Sequence, residues 1–273
     1  MTTALKLLAP CLMMTLATGP AIADDLDVEV IGPSNRSSVS ITDLNYHFSA
    51  NQRSNLDGLV EGSFKQSLNV FAVSGIWALS PQLNLTWSLP YSTHNSMTNV
   101  WQGNVQELGQ TGVGGALGIS AAFVGDDKAA QGFKLTGYAG SNKFNGENAV
   151  YFGMLQPQYK LSEQFTLASN VGLQHQSNAG SSEILALNLV WHAAPDVTII
   201  PSASVAHYEP ANGYAGFHTF GLGLSMTYHL DREWAISAGA NYANQSDQLT
   251  TRYVNDFTSA SYYSVTAGVR YLF

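Results

Sequence analysis

The sequence predicts an all-β fold, a transmembrane antiparallel up-and-down β-barrel of about twelve strands. Three observations point there. The first is the stretch from Ser261 to Phe273, SYYSVTAGVRYLF, which alternates with a period of two. Tyr263, Val265, Ala267, Val269, Tyr271 and Phe273 share one face; Ser264, Thr266, Gly268 and Arg270 share the other. Aliphatics flanked by aromatics suit a strand crossing a bilayer, although taken alone the same strand would close a soluble sandwich equally well. The second is composition: charged residues make up 11% of the 273-residue chain, against about a quarter of an ordinary globular domain. The third is that no stretch beyond the N-terminal segment reaches the eighteen or so apolar residues a membrane helix needs. A membrane-spanning chain without such helices must be a closed barrel, since open sheet edges cannot face lipid.

Residues 1–23 read as a secretory signal. Lys6 is the only charge before Asp24, a mostly apolar stretch runs from Leu7 to Ala17, and Ala21-Ile22-Ala23 supplies small residues at a cleavage site. The stretch is too short and too broken for a membrane anchor. The single cysteine, Cys11, lies within it, so the mature chain is expected to carry no thiol and no disulfide. Without residues 1–23 the chain keeps ten basic and nineteen acidic residues, a net charge of −9. That balance argues against a nucleic-acid partner, which would call for clustered Lys and Arg. Residues 24–37, acidic and interrupted by Gly32-Pro33, read as a periplasmic extension or plug, and residues 38–273 as the outer-membrane barrel.

The strands follow in order. The first, about 38–48, has Val39 and Ile41 in one phase but Leu44, Tyr46 and Phe48 in the other, which suggests a bulge. Residues 67–79 and 83–91 form a hairpin around Ser80-Pro81-Gln82. Later strands are expected near 111–123, 132–140, 149–161, 164–176, 183–193, 196–208, 217–230, 233–243 and 261–273. Short connections such as 161–164, 193–196 and 230–233 alternate with longer ones such as 92–109 and 244–260. Outer-membrane barrels show this pattern, with tight periplasmic turns and long external loops. On that topology Trp77, Phe123, Phe133, Tyr159, Phe165, Trp191, Tyr228, Trp234 and Tyr271 ring the periplasmic end. Tyr91, Tyr151, Tyr208, Tyr242 and Tyr263 ring the outer end. Two aromatic girdles mark the two membrane interfaces.

The opposite phase gives the lumen. It contains Asn84, Thr86, Ser88, Asn170, Gln174, Asn241 and Thr266, with Phe152 and Met154 if the strand at 149–161 turns them inward. Inward charges are few, chiefly Lys134, Lys160 and Arg270, with His192 and His229. Ion-selective pores use rings of charge, and none is legible here. A narrow, weakly charged and partly apolar lumen suits small neutral or hydrophobic solutes; the plainer reading is that these residues only pack a closed barrel. The seven histidines are scattered, with no ligand spacing on a common face, so no metal and no other cofactor is expected. Expected partners are the lipid bilayer and lipopolysaccharide, a small-molecule solute, and the barrel-assembly machinery through the C-terminal strand ending at Phe273.

Asn69 to Tyr91, NVFAVSGIWALSPQLNLTWSLPY, resembles the strand–turn–strand ending in Leu-Pro-Tyr of the family called the MetA-pathway of phenol degradation, an outer-membrane transporter family. Leu108-Gly109-Gln110-Thr111-Gly112 is similar to that family's Gly-Leu-Gly-Asp strand, with Gln110 where an acid is usual. The resemblance implies passage of small, often hydrophobic compounds. A second stretch, residues 174–180 (QHQSNAG), resembles the His-x-Ser-Asn motif of outer-membrane phospholipase A and lipid A deacylase. That resemblance implies Ser177 as nucleophile, His175 as base and Glu183 as orienter, acting on lipid at the outer rim. The third catalytic position of those enzymes falls further along the next strand, where this chain has Asn188 and Leu189. Channel and lipid hydrolase therefore stand as alternatives, with a structural or adhesive barrel acting through Trp101 and Tyr253 of its external loops as a third.

Overall fold

The computed structural model describes residues 36–54, 59–101, 104–109, 111–124, 132–144, 148–177, 180–211, 215–246 and 255–273. The segments 1–23 and 24–35 lie outside the described residues, as do Asn178, Ala179 and Tyr253 and the side chain of Trp101.

The strands are β1 (Ser38–Ser54), β2 (Val60–Ser80), β3 (Leu83–Trp101), β4 (Asn104–Gly109), β5 (Gly112–Val124), β6 (Phe133–Phe144), β7 (Val150–Lys160), β8 (Phe165–Gln176), β9 (Gly180–Ala194), β10 (Val197–Pro210), β11 (Phe217–His229), β12 (Trp234–Gln245) and β13 (Asn255–Leu272). All described pairings are antiparallel between neighbours, and β2–β3 and β1–β13 close the ring. β4 pairs only with the outer part of β3, so twelve strands form the wall and β4 extends one hairpin beyond it. The stretch expected as a loop at 92–109 is thus mostly strand, β1 runs past its expected end near 48 to Ser54, and β2 begins at Val60, ahead of the expected 67.

The closing seam joins the two ends of the barrel. Ser37 N–H donates to Phe273 O at 3.2 Å and Phe273 N–H to Ser37 O at 2.9 Å. The Arg36 guanidinium donates to Leu272 O at 3.0 Å and also to Arg232 O. Closure leaves the twelve-strand wall, among the described residues, without the open edge that lipid could not satisfy.

Around most of the barrel the period-two pattern sorts polar side chains inward and aliphatics outward. Leu117, Ile119, Val171, Leu173, Leu222, Leu224 and Val265 are exposed on the outer face. The lower girdle stands as expected, with Phe165 stacked on Trp191 (6.2 Å between centroids) and Trp234 tilted against Tyr271 (4.8 Å). In the upper girdle Tyr91, Tyr151, Tyr242 and Tyr263 face outward. Tyr208 does not: it is fully buried inside, against Phe217 at 5.0 Å. Its neighbour His207 takes the outward position instead, because a single strand can present only alternate residues to lipid.

The phase break in β1 is no bulge. Pairing is continuous from Ser38 to Ser49 against both β13 and β2. Leu44, Tyr46, Phe48 and Ala50 therefore point inward, where they pack with Phe64, Leu68, Val70 and Ala260 into a buried apolar cluster. Asp43, Asn45 and His47 are left on the outer face. On this wall the usual polarity is reversed.

Candidate functional site

The candidate site is the lumen. β3, β7, β8, β9, β11, β12 and β13 each present alternate residues to it, and antiparallel pairing between neighbours sets those residues side by side on the inner face. Asn84 and Ser88 are buried on the inner face, and Thr86 donates to Tyr138 Oη at 3.2 Å. Asn170, Gln174 and Asn241 face inward too, as do Phe152 and Met154. A cavity of about 170 Å³ lies among them, with Leu44, Tyr138 and Tyr262 on its walls. For scale, an apolar cavity of about 150 Å³ takes up benzene.

Lys134, Lys160 and Arg270 face inward at the end that carries the short turns, in phase with the buried Thr136, Gln156 and Thr266. His192 is at the same end, its Nδ1 3.3 Å from Thr198 Oγ1. Outward of this level, no lumen-facing side chain among the described residues carries a formal charge.

The lumen has two contrasting walls. The β13–β1–β2 side is the apolar cluster, with Tyr46 and Tyr262 5.8 Å apart and Phe48 and Phe64 5.9 Å apart. The facing side is amide-rich. Gln158 Nε2 donates to Gln156 Oε1 at 2.6 Å, and Gln156 Nε2 donates to Asn170 Oδ1 at 2.9 Å. Further out Gln174 is 5% exposed, yet neither of its amide atoms has a protein partner. A buried amide without a partner is costly, so Gln174 holds donor and acceptor capacity directed at whatever occupies the cavity.

Sequence reasoning missed Leu44, Tyr46, Phe48, Phe64, Leu68 and Val70 as lumen residues, because it assigned apolar side chains to lipid. The signal that locates them was present: the phase change within 38–48. It also left out Gln156 and Gln158, on the strand whose phase was ambiguous.

The rim residues are arranged differently from the expected triad. His175 Nδ1 lies 2.9 Å from Ser181 Oγ, across the β8–β9 hairpin, and not against Ser177. Glu183 pairs across the sheet with Leu173 on one side and His207 on the other. The reason is register: a residue one turn further along the hairpin, not Ser177 in the turn itself, stands opposite His175. His207 in turn lies against His218, centroids 4.5 Å apart.

No protein-family model matches the chain, and no curated protein matches it. Solved structures do. An outer membrane channel from Pseudomonas putida F1 is similar at a TM-score of 0.57 and 10% identity, over 86% of this chain and 96% of that one. The translocator domain of the autotransporter NalP from Neisseria meningitidis is similar at 0.52 and 12% identity, over 93% and 92%. The transport unit of the autotransporter AIDA-I from Escherichia coli is similar at 0.52 and 12% identity, over 88% and 91%. The fold is that of the outer-membrane β-barrels. At such identities the likeness speaks for architecture and leaves the solute to the lumen's own chemistry.

Proposed function

We propose that this barrel is an outer-membrane channel for small, weakly charged or hydrophobic solutes. The observation that carries the reading is the lumen outward of Lys134, Lys160 and Arg270, where described side chains are amide, hydroxyl, aromatic or aliphatic and none is charged. A charged solute entering so narrow a space would lose hydration with no opposite charge to replace it. A neutral solute would find apolar contact on the β13–β1–β2 side and hydrogen bonds from Asn170 and Gln174 on the facing side, with Asn241 on β12 beside the apolar wall. Such a division, mostly apolar with a few placed polar groups, is typical of small-molecule sites. The resemblance of residues 69–91 and 108–112 to the phenol-degradation transporter family supports the same reading, as does the channel from Pseudomonas putida F1 among the similar folds. Within it, residues 1–23 direct export, the strand ending at Phe273 engages the assembly machinery, and lipid and lipopolysaccharide surround the wall.

Lipid hydrolysis is the weaker reading, since Ser177 has no bond to His175 and Glu183 lies beside His207. The test is solute flux through the barrel refolded in liposomes of defined lipid, offering sugars, nucleosides and simple aromatics side by side. Selective, saturable passage of one neutral class is expected. Equal exclusion of all three, with release of fatty acid from the vesicles, would reverse the assignment.

A further inference from the structure

The outer face of β1 and β2 carries a polar knot where lipid is expected. Asn69 Nδ2 donates to Asp43 Oδ1 at 2.8 Å and to Asn45 Oδ1 at 3.1 Å, and Asn45 Nδ2 donates to Asp43 Oδ2 at 3.2 Å. All three side chains are on the outside of the wall, because Leu44 and Val70 beside them are buried inside. Depth follows from register. Asp43 pairs with Ala267, four residues from each of the girdle tyrosines Tyr263 and Tyr271. Those eight residues span about 20 Å along the membrane normal at a strand rise of 3.3 Å and a tilt near 40°. The carboxylate therefore lies well inside the apolar belt.

Ionisable side chains at such depth are rare, and they are held by partners rather than by lipid. Within the barrel Asp43 receives two donors, whereas an ionised carboxylate has room for about four. Asn45 has a second amide hydrogen beyond the one given to Asp43. The knot thus offers both acceptor and donor, which makes it complementary to a copy of itself. On the β12–β13 side the surface beside it allows close approach: Ala238, Ala267 and Asp43 occupy one cross-strand row, which continues on β2 to Phe71, and Ala240 lies beyond Val265 in the next. Small side chains let two membrane-embedded surfaces come within reach of short polar groups. Two copies inserted in the same direction meet at equal depth, so the same patch faces itself.

We propose that the β12–β13–β1–β2 face is a homo-oligomer interface, with the Asp43–Asn45–Asn69 knot of one barrel hydrogen-bonded to that of a second copy. The apolar cluster behind it stiffens that wall from the lumen side. Lipid hydrocarbon supplies no partners for the knot, and lipopolysaccharide sugars and phosphates lie outside the belt in which Asp43 is placed.

The experiment counts subunits for the full barrel in planar bilayers, by stepwise photobleaching of a dye on an external loop. More than one step per spot is expected for the native chain. In the combined variant Asp43→Leu, Asn45→Leu, Asn69→Leu the multi-step fraction should fall by roughly tenfold, equivalent to about 1.4 kcal/mol. A second measurement does not depend on that variant folding: Ser49→Cys on β1 should cross-link between barrels, and Leu187→Cys on β9 should not. Single-step bleaching of the native chain, with or without lipopolysaccharide, would overturn the proposal. So would equal cross-linking at both positions.

Discussion

Tyr138 and Phe152 stack inside the barrel with ring centroids 5.2 Å apart and planes 27° from parallel. Both rings lie flat against the wall because glycine stands beneath each. A Cβ at Gly118 would lie 2.5 Å from Tyr138 Oη, and one at Gly140 would lie 2.8 Å from Phe152 Cζ. The width of the lumen at this level is therefore set by two missing side chains. Replacing Gly118 by Val should lift Tyr138 from the wall and break its bond with Thr86. Overpacking of this kind costs about 1–3 kcal/mol, and the displaced ring narrows the path. Solute flux should fall about tenfold while circular dichroism still reports a complete barrel.

The charges at the short-turn mouth should govern what little ion selectivity the pore has. Lys134, Lys160 and Arg270 are all basic, so a weak preference for anions is expected. Lys134→Glu with Lys160→Glu should move the reversal potential in a KCl gradient to the cation side. Neutral solute flux should change little, because the described lumen side chains outward of these residues carry no charge.

Tyr46 is 1% exposed within the apolar lumen cluster. Tyr46→Ala should lower stability by about 3–5 kcal/mol, as other large-to-small core changes do, and should raise conductance by removing a ring from the path. Denaturant unfolding from vesicles and single-channel recording would read the two effects. A loss of stability without any change in conductance would place the cluster outside the conducting path.

The turn between β11 and β12 should be acid-sensitive. Asp231 accepts hydrogen bonds from the backbone N–H of Glu233 and of Trp234, each at 2.7 Å, and these hold its carboxyl below the usual carboxylate value of 3.8. A depressed folded-state pKa gives stability that is complete above the unfolded pKa and is lost as pH falls through the folded one. Protection of the Glu233 and Trp234 amides against hydrogen exchange, taken relative to the intrinsic rate at each pH, should therefore fall at pH values below about 4. Asp231→Ala should show no such protection at any pH.

The architecture was legible because two sequence signals are imposed by the bilayer itself. Turns such as 161–164 and 230–233 must be short on one side, and Trp and Tyr must lie at two depths. The polar part of the lumen followed from the same phase, through Asn84, Asn170, Gln174 and Asn241. The apolar part did not. Leu44, Tyr46 and Phe48 look lipid-facing in isolation, and only pairing with β13 and β2 shows which side they take. Tyr208 was misplaced for a related reason: an aromatic near a strand end fits a girdle or a lumen equally well until its phase is fixed by a neighbour. The partner of His175 was beyond sequence as well, because hairpin register decides between Ser177 and Ser181.

Passage of uncharged solutes through a lumen that carries no charge outward of Lys134, Lys160 and Arg270 is the central claim, and flux of size-matched solutes tests it most directly. A neutral aromatic alcohol, the carboxylate of the same ring and the corresponding ammonium would be offered to the same liposomes. The neutral member should pass at least about tenfold faster than either ion, the ratio that about 1.4 kcal/mol of unreplaced hydration produces. Equal rates for all three, or faster passage of an ion, would contradict it.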